Sequence, residues 1–204
     1  MPSALVSNGS RVLTPAESDA MRAVIAKPSN RLLFDLLTFT GLRLVEVRQI
    51  VAVPNVYDPE RRSILVRSGK ALATQRTRNV RLCDRGVAAV EGFLERPKVP
   101  GSSSAWQQNL IRWARAARLV PIPGKGHDAY NPCGLTVRTT RKTLESWLLA
   151  AFPDRATEVA LSQGHTEITA LKHYLNLNFT PAERAAIAEQ VEGWPIAMPS
   201  RAHP

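Results

Sequence analysis

Between residues 138 and 174 the chain gathers groups that could hold a phosphodiester and attack it: Arg138, Arg141, His165 and Tyr174, with Lys142 beside the second arginine. Arginine presents a planar fork of N–H donors that matches two phosphate oxygens, and it keeps its charge near neutral pH. Histidine can donate to a phosphate oxygen or carry a proton near pH 7. A tyrosine made more acidic by neighbouring cations can attack phosphorus and form a covalent intermediate. The sequence shows no Gly-rich phosphate loop and no clustered metal ligands, so cations would have to replace a metal. No metal or other cofactor is expected.

Each of these residues also has a plain alternative. Arginines in runs usually form a solvated basic face, although two at i, i+3 do share one side of a helix. His165 after Gly164 could simply end a helix, and His173 beside Tyr174 is a decoy. Tyr57 and Tyr130 are the other tyrosines, and neither has comparable surroundings.

Taken together, Arg138-x-x-Arg141, Gly164-His165 and a tyrosine nine positions after that histidine resemble the C-terminal half of a tyrosine recombinase active site. That family comprises phage-type integrases, Xer-type resolvases and fimbrial-switch invertases. It also has an arginine in a Gly-Leu-Arg-x-x-Glu box and a lysine on a β-hairpin. Gly41-Leu42-Arg43-Leu44-Val45-Glu46 resembles the first, and Lys70 in Ser68-Gly69-Lys70 the second. Arg67, Arg76 and Arg78 are rival cations for the lysine position and could line DNA instead. The resemblance runs from about residue 14 to about residue 180. One position departs from it, because Arg138 stands where the family usually has histidine.

The resemblance implies a DNA strand-cleaving and rejoining enzyme. Tyr174 would attack the scissile phosphate to give a 3′-phosphotyrosyl link. Arg43 and Arg141 would clamp the non-bridging oxygens, His165 would add a hydrogen bond, and Lys70 would protonate the leaving 5′-oxygen. Glu46 would orient Arg43 or cap the next turn. Arg138 could act only as a further cation, since arginine accepts no proton at working pH. The implied partner is a double-stranded DNA recombination site, bound by a homo-oligomer, a tetramer in this family. Two other readings stay open. One is a type IB topoisomerase-like enzyme that relaxes DNA as a monomer, and the other is a non-catalytic DNA-binding protein on a recombinase scaffold.

Composition is compatible with such a partner. The 204 residues suffice for one good core, and 44% hydrophobic with 22% charged residues is ordinary for a globular chain. The balance of 27 Lys+Arg against 17 Asp+Glu, a formal +10, favours polyanions through counterion release. Cys83 and Cys133 have neither metal nor disulfide-framework spacing and read as reduced thiols. No apolar run approaches the roughly 18 residues of a membrane span. A cytoplasmic, nucleoid-associated protein, or one in host cytoplasm if viral, is expected.

The elements that must position these groups are mostly helices. Thr14-Pro15-Ala16-Glu17 is a capping box with proline at the first helical position, so a helix is predicted to about Ala26. Further helices are predicted over 30–39 and 44–51, with Arg43 at the junction after Gly41. Residues 54–82 read as strand–turn–strand and a returning third strand, with Lys70 on the loop. Asp84 is expected to cap a helix to about Leu94, and helices follow over 106–119 and 136–152. The last of these carries Arg138 and Arg141. Pro153 to Leu161 is another, closed by Gly164, and a short one leads towards Tyr174. Thr180-Pro181-Ala182-Glu183 repeats the capping box and opens a final helix, expected to dock into a neighbouring subunit. The fold expected is mainly α with a small antiparallel β-sheet, an α+β tyrosine recombinase catalytic-domain-like arrangement. The domains expected are 1–13 as a flexible N-terminus, 14–180 as the catalytic domain, and 181–204 as a C-terminal helix and tail. Phage-type integrases normally carry a separate DNA-clamp domain ahead of the catalytic one, and only about 13 residues precede the first predicted helix here.

Overall fold

The structure, a computed structural model, describes residues 4–7, 9–68, 76–122, 129–164 and 177–194. Strands β1 (Leu5–Ser7) and β2 (Ser10–Val12) pair as an antiparallel hairpin. Helices α1 (Pro15–Ala23), α2 (Pro28–Thr40) and α3 (Leu44–Ala52) follow. Strands β3 (Tyr57–Asp58), β4 (Ser63–Ser68) and β5 (Arg76–Arg81) form a second antiparallel sheet in the order β3-β4-β5. The rest is helical: α4 (Asp84–Glu95), α5 (Ser103–Ala116), α6 (Thr139–Ala151), α7 (Ala156–Gln163) and α8 (Pro181–Gln190). The α+β class expected from the sequence is the one observed.

Both capping boxes form. The Thr14 hydroxyl accepts from Glu17 N at 3.3 Å, while the Glu17 carboxylate accepts from Thr14 N at 3.1 Å. Thr180 and Glu183 repeat the exchange at the head of α8. These reciprocal bonds satisfy backbone donors that a helix start otherwise leaves open. The start of α4 differs from expectation. Cys83, not Asp84, is the cap, and its Sγ accepts from Gly86 N at 3.3 Å. Asp84 lies one residue inside the helix and pairs with Arg62 instead.

The beginning of the chain is not loose where it is described. Val12 and Leu13 are fully buried, and so is Arg11, which donates to Val120 O at 2.7 Å and pairs with Glu17. Three-residue strands are too short to announce themselves by alternation. What holds this hairpin and the residue after it is α6 with the turn before it: Ser10 Oγ meets Thr136 Oγ1 at 2.8 Å, Leu13 N donates to Thr143 Oγ1 at 3.0 Å, and Trp147 Nε1 donates to Leu13 O at 2.9 Å.

α6 is the axis of the molecule. Every residue from Thr139 to Leu149 is buried although most of them are polar. Leu144, Trp147 and Leu148 join Val12, Phe39 and Val159 in one apolar cluster. The larger cluster lies between α2, α4, α5 and the inner face of the β3-β4-β5 sheet, with Phe34, Phe93, Trp106 and Trp113 in it. α8 closes the first cluster by burying Ile187, with Val191 and Trp194 just beyond its end. The expectation that the last helix docks into a neighbour is therefore overturned. Its i, i+4 apolar pair covers Trp147 and Leu148 of its own chain, and a Trp194 ring stacks on Phe152 with centroids 5.7 Å apart.

Candidate active site

Gly41 ends α2 in the left-handed conformation, φ 65°, where a side chain would be strained and would displace Gln163. A Cβ at that point would lie 2.4 Å from Gln163 Oε1. This close approach brings the end of α2 against the end of α7. Gly164 ends α7 with φ 70°, and a Cβ on it would lie 2.8 Å from Arg78 Cδ. The two glycines thus let three separate parts of the chain meet: the α2–α3 junction, β5, and the turn that precedes His165.

Arg141 ties two of these parts together. Its Nη1 donates to Gly41 O at 2.8 Å and its Nη2 to Gln163 O. Only 6% of the residue is exposed. Burial, and then the positive charge of Arg43, push its pKa down to about 10, which still leaves it a cation at neutral pH. The two carbonyls fix the guanidinium plane, so its direction is set by backbone and not by a mobile side chain.

Arg43 stands at the start of α3 with its side chain 45% exposed. Glu46, almost wholly buried, accepts from Arg43 N at 2.8 Å and from Arg43 Nη1 at 2.7 Å. It therefore caps the helix and holds the arginine side chain at once. The same carboxylate accepts from Arg78 Nη1 at 2.9 Å and Nη2 at 2.8 Å. Burial alone would raise the Glu46 pKa. The Arg78 hydrogen bonds and the Arg43 backbone bond outweigh it and bring the value to about 2. Glu46 is an anion at any working pH.

Arg138 lies at the cap position of α6 and is exposed, three residues before the buried Arg141. Its backbone N donates to Thr136 Oγ1 at 3.2 Å, and its guanidinium is left to solvent among the described residues. Lys142, next to Arg141 in the chain and counted with it in the sequence reading, does not share its surroundings. It is buried, and its Nζ donates to Ser7 O at 2.6 Å on the hairpin. Burial and then Arg138 push its pKa down.

Lys70, His165 and Tyr174 lie outside the described residues. The other two tyrosines are placed. Tyr57 donates its phenol to Glu91 at 3.1 Å, and burial with that bond raises its pKa to about 12, which makes it a poor nucleophile. Tyr130 is exposed, with the Arg115 guanidinium 5.8 Å above its ring.

Arg78 is the functional neighbour that sequence reasoning missed, having weighed it only as a rival for the lysine position. The signal was present in the strand period. Val80 and Leu82 are fully buried, so Arg78 falls on the same inward face, and it must meet an anion there.

The arrangement resembles known enzymes in fold. The chain matches a crystal structure of XerA recombinase with a TM-score of 0.62 over 93% of its own length, at 17% identity. It matches the Tn1549 transposon integrase in complex with circular intermediate DNA at 0.57, over 88% and with 16% identity. The integrase from mycobacterium phage Brujita gives 0.56 over 98%, with 20% identity. The chain spans 66%, 66% and 63% of those three structures respectively. It matches no protein-family model and no curated protein. Its fold is a tyrosine recombinase catalytic-domain-like one. Among the described residues no helix is long and apolar enough to cross a membrane.

Proposed function

We propose that the protein is a site-specific DNA recombinase or integrase that cuts and rejoins strands through a 3′-phosphotyrosyl intermediate. The observation that carries this reading is the meeting of Arg43 and Arg141. Two cations from positions far apart in the chain are held near enough for the charge of Arg43 to act on Arg141, Arg141 by Gly41 O and Gln163 O, Arg43 by Glu46. Like charges repel, and a protein gathers them at a cost unless an anion is to sit between them. A phosphate is the anion that suits two arginine forks.

In this mechanism Tyr174 Oη gives its proton to solvent water as it bonds to phosphorus. The P–O5′ bond breaks, and the leaving 5′-oxygen takes a proton from Lys70. Arg43 and Arg141 donate to the non-bridging oxygens as charge gathers on them, and His165 adds a further donor. Such preorganised donors are worth several kcal/mol each in a site shielded from water. The phosphotyrosyl bond conserves the energy of the broken one, so the 5′-hydroxyl can reverse the step on the same or another strand. Duplex DNA is the substrate, and a tetramer spanning two duplexes is the working assembly.

The test uses nicked suicide duplexes tiled across the DNA that flanks the protein's own coding sequence. Cleavage beside the nick releases a short 5′-hydroxyl strand and traps the covalent adduct, visible on denaturing gels. Wild type should form it, and Tyr174→Phe should bind the same duplexes without forming it. An adduct of equal yield in the Phe variant would assign the nucleophile to another residue.

A further inference from the structure

We propose that Arg78 is a positioning residue of the cleavage site, holding Glu46 against Arg43 while it anchors the end of α7 that leads into Gly164-His165. The proposal rests on the recombinase reading above and assigns a role to a residue outside the set that the sequence points to.

The geometry has three parts. Arg78 comes from β5, and its side chain is only 9% exposed, too enclosed to meet DNA itself. Its two terminal nitrogens take both oxygens of Glu46, at 2.9 and 2.8 Å. Its Nε donates to Ser162 O at 3.1 Å, in the last turn of α7. One guanidinium therefore sets the α3 carboxylate and the α7 terminus in a single plane, and Gly164 is the residue whose missing side chain leaves room for it.

A packing role alone does not account for this. A buried ion pair is often no more stable than hydrophobic residues of the same volume, because both charges must be desolvated. What the pair provides is direction. Glu46 accepts four donors: Arg43 N and Nη1, Arg78 Nη1 and Nη2. With Arg78 gone, the carboxylate keeps donors on one side only and can swing. Arg43, repelled by Arg141, then loses its fixed position. Among the described residues the charged groups facing Glu46 are Arg43 at the start of its own helix, Arg78 from β5 and Arg141 from α6.

The experiment compares wild type, Arg78→Ala, Arg78→Lys, Glu46→Gln and the Glu46→Gln/Arg78→Ala double variant. Adduct formation and affinity are measured on the tiled duplexes described above. Arg78→Ala should slow adduct formation by about 10- to 100-fold, the penalty typical of a misplaced reacting geometry. Its affinity for the duplex should move by no more than about twofold, since Arg78 releases no counterions from DNA. Because Arg78 acts through Glu46, the double variant should be no slower than Glu46→Gln alone. Arg78→Lys keeps the charge without the two-pronged fork and should fall between, and it carries the same measurements if the Ala variant does not fold. Separately, carbon-13 NMR of the glutamate carboxyls follows Glu46 without DNA. Its titration midpoint should rise by at least about one pH unit in Arg78→Ala.

An Arg78→Ala enzyme with wild-type adduct rate would overturn the proposal. So would a double variant slowed by the product of the single effects, or a Glu46 midpoint that does not move. If wild type forms no adduct on any duplex, the recombinase reading fails, and the NMR titration still decides whether Arg78 holds Glu46.

Discussion

Arg141 Nη1 and the carbonyl of Gly41 are 2.8 Å apart although a hundred residues of chain separate them. That bond places the α6 arginine beside the turn that launches Arg43, so the site depends on how α6 lies against the end of α2. Arg141→Lys keeps a charge but cannot span Gly41 O and Gln163 O together. On the proposed reading, this pairing of backbone and guanidinium would make stability and catalysis share the same atoms.

Glu46 should leave a mark on acid unfolding. Its folded pKa is depressed to about 2 from an ordinary value of 4.5, so the stability it supplies is complete above pH 4.5 and is lost as pH falls through 2. A shift of this size corresponds to stabilisation on the order of 3 kcal/mol. Glu46→Gln should be less stable at pH 7 by a similar amount and should show a flatter decline between pH 4.5 and 2. Urea midpoints measured across that window check it; an unchanged slope in the Gln variant would remove Glu46 from the account.

Gly164→Ala puts a methyl 2.8 Å from Arg78 Cδ and forces a left-handed alanine at φ 70°. The backbone term alone costs about 1 kcal/mol, and displacement of Arg78 adds to it. Thermal unfolding should show a loss of about 1–2 kcal/mol, and adduct formation should fall further than stability explains. A variant that loses stability yet cleaves at the wild-type rate would mean that Arg78 tolerates the shift.

Much of this was legible in the chain itself. Arg43 and Arg141 could be found because each sits in a short box that resembles the recombinase pattern, and the glycine of the first box, Gly41, makes a close approach to Gln163. Arg78 was harder, since a strand arginine looks like a surface residue until its inward face is known. Lys142 was misread for the opposite reason: it follows Arg141 in the chain, but its position on α6 turns it towards Ser7. The hairpin at residues 5–12 was invisible because strands this short gain their order from α6 and not from their own pattern. The terminal helix was recognised by its capping box, while its partner was not, because an apolar i, i+4 pair says that something is covered without saying what.

Lys70→Ala should slow cleavage strongly on ordinary DNA. Replacing the scissile 5′-bridging oxygen by sulfur should restore most of the rate, because a thiolate leaves without a proton donor. Single-turnover rates on the two substrates decide the matter. If sulfur gives no relief, Lys70 is not the acid.

Arg138, exposed at the head of α6, can act on a phosphate as a cation but not as a proton acceptor. Arg138→Lys should retain substantial cleavage, whereas Arg138→Ala should lose about ten- to a hundredfold, or about 1.4–2.7 kcal/mol of transition-state stabilisation. The Ala variant should also need a higher pH, since the attacking phenol loses a neighbouring cation. Rates against pH for the three proteins check this. Wild-type rates with an unshifted profile would reduce Arg138 to a contact with the DNA backbone.

The cluster around α6 also bears on the protein when no DNA is near. Arg43, Arg78 and Arg141 face Glu46 and Glu145, so positive charge is in excess within the fold. The empty protein therefore carries an internal electrostatic tension that any well-placed anion relieves. Inorganic phosphate or sulfate should raise the melting temperature more than chloride at equal ionic strength, and Arg43→Ala should blunt that difference. On the recombinase reading, the same tension would be relieved by the DNA phosphate, so that docking on DNA and tightening of the fold would become one event.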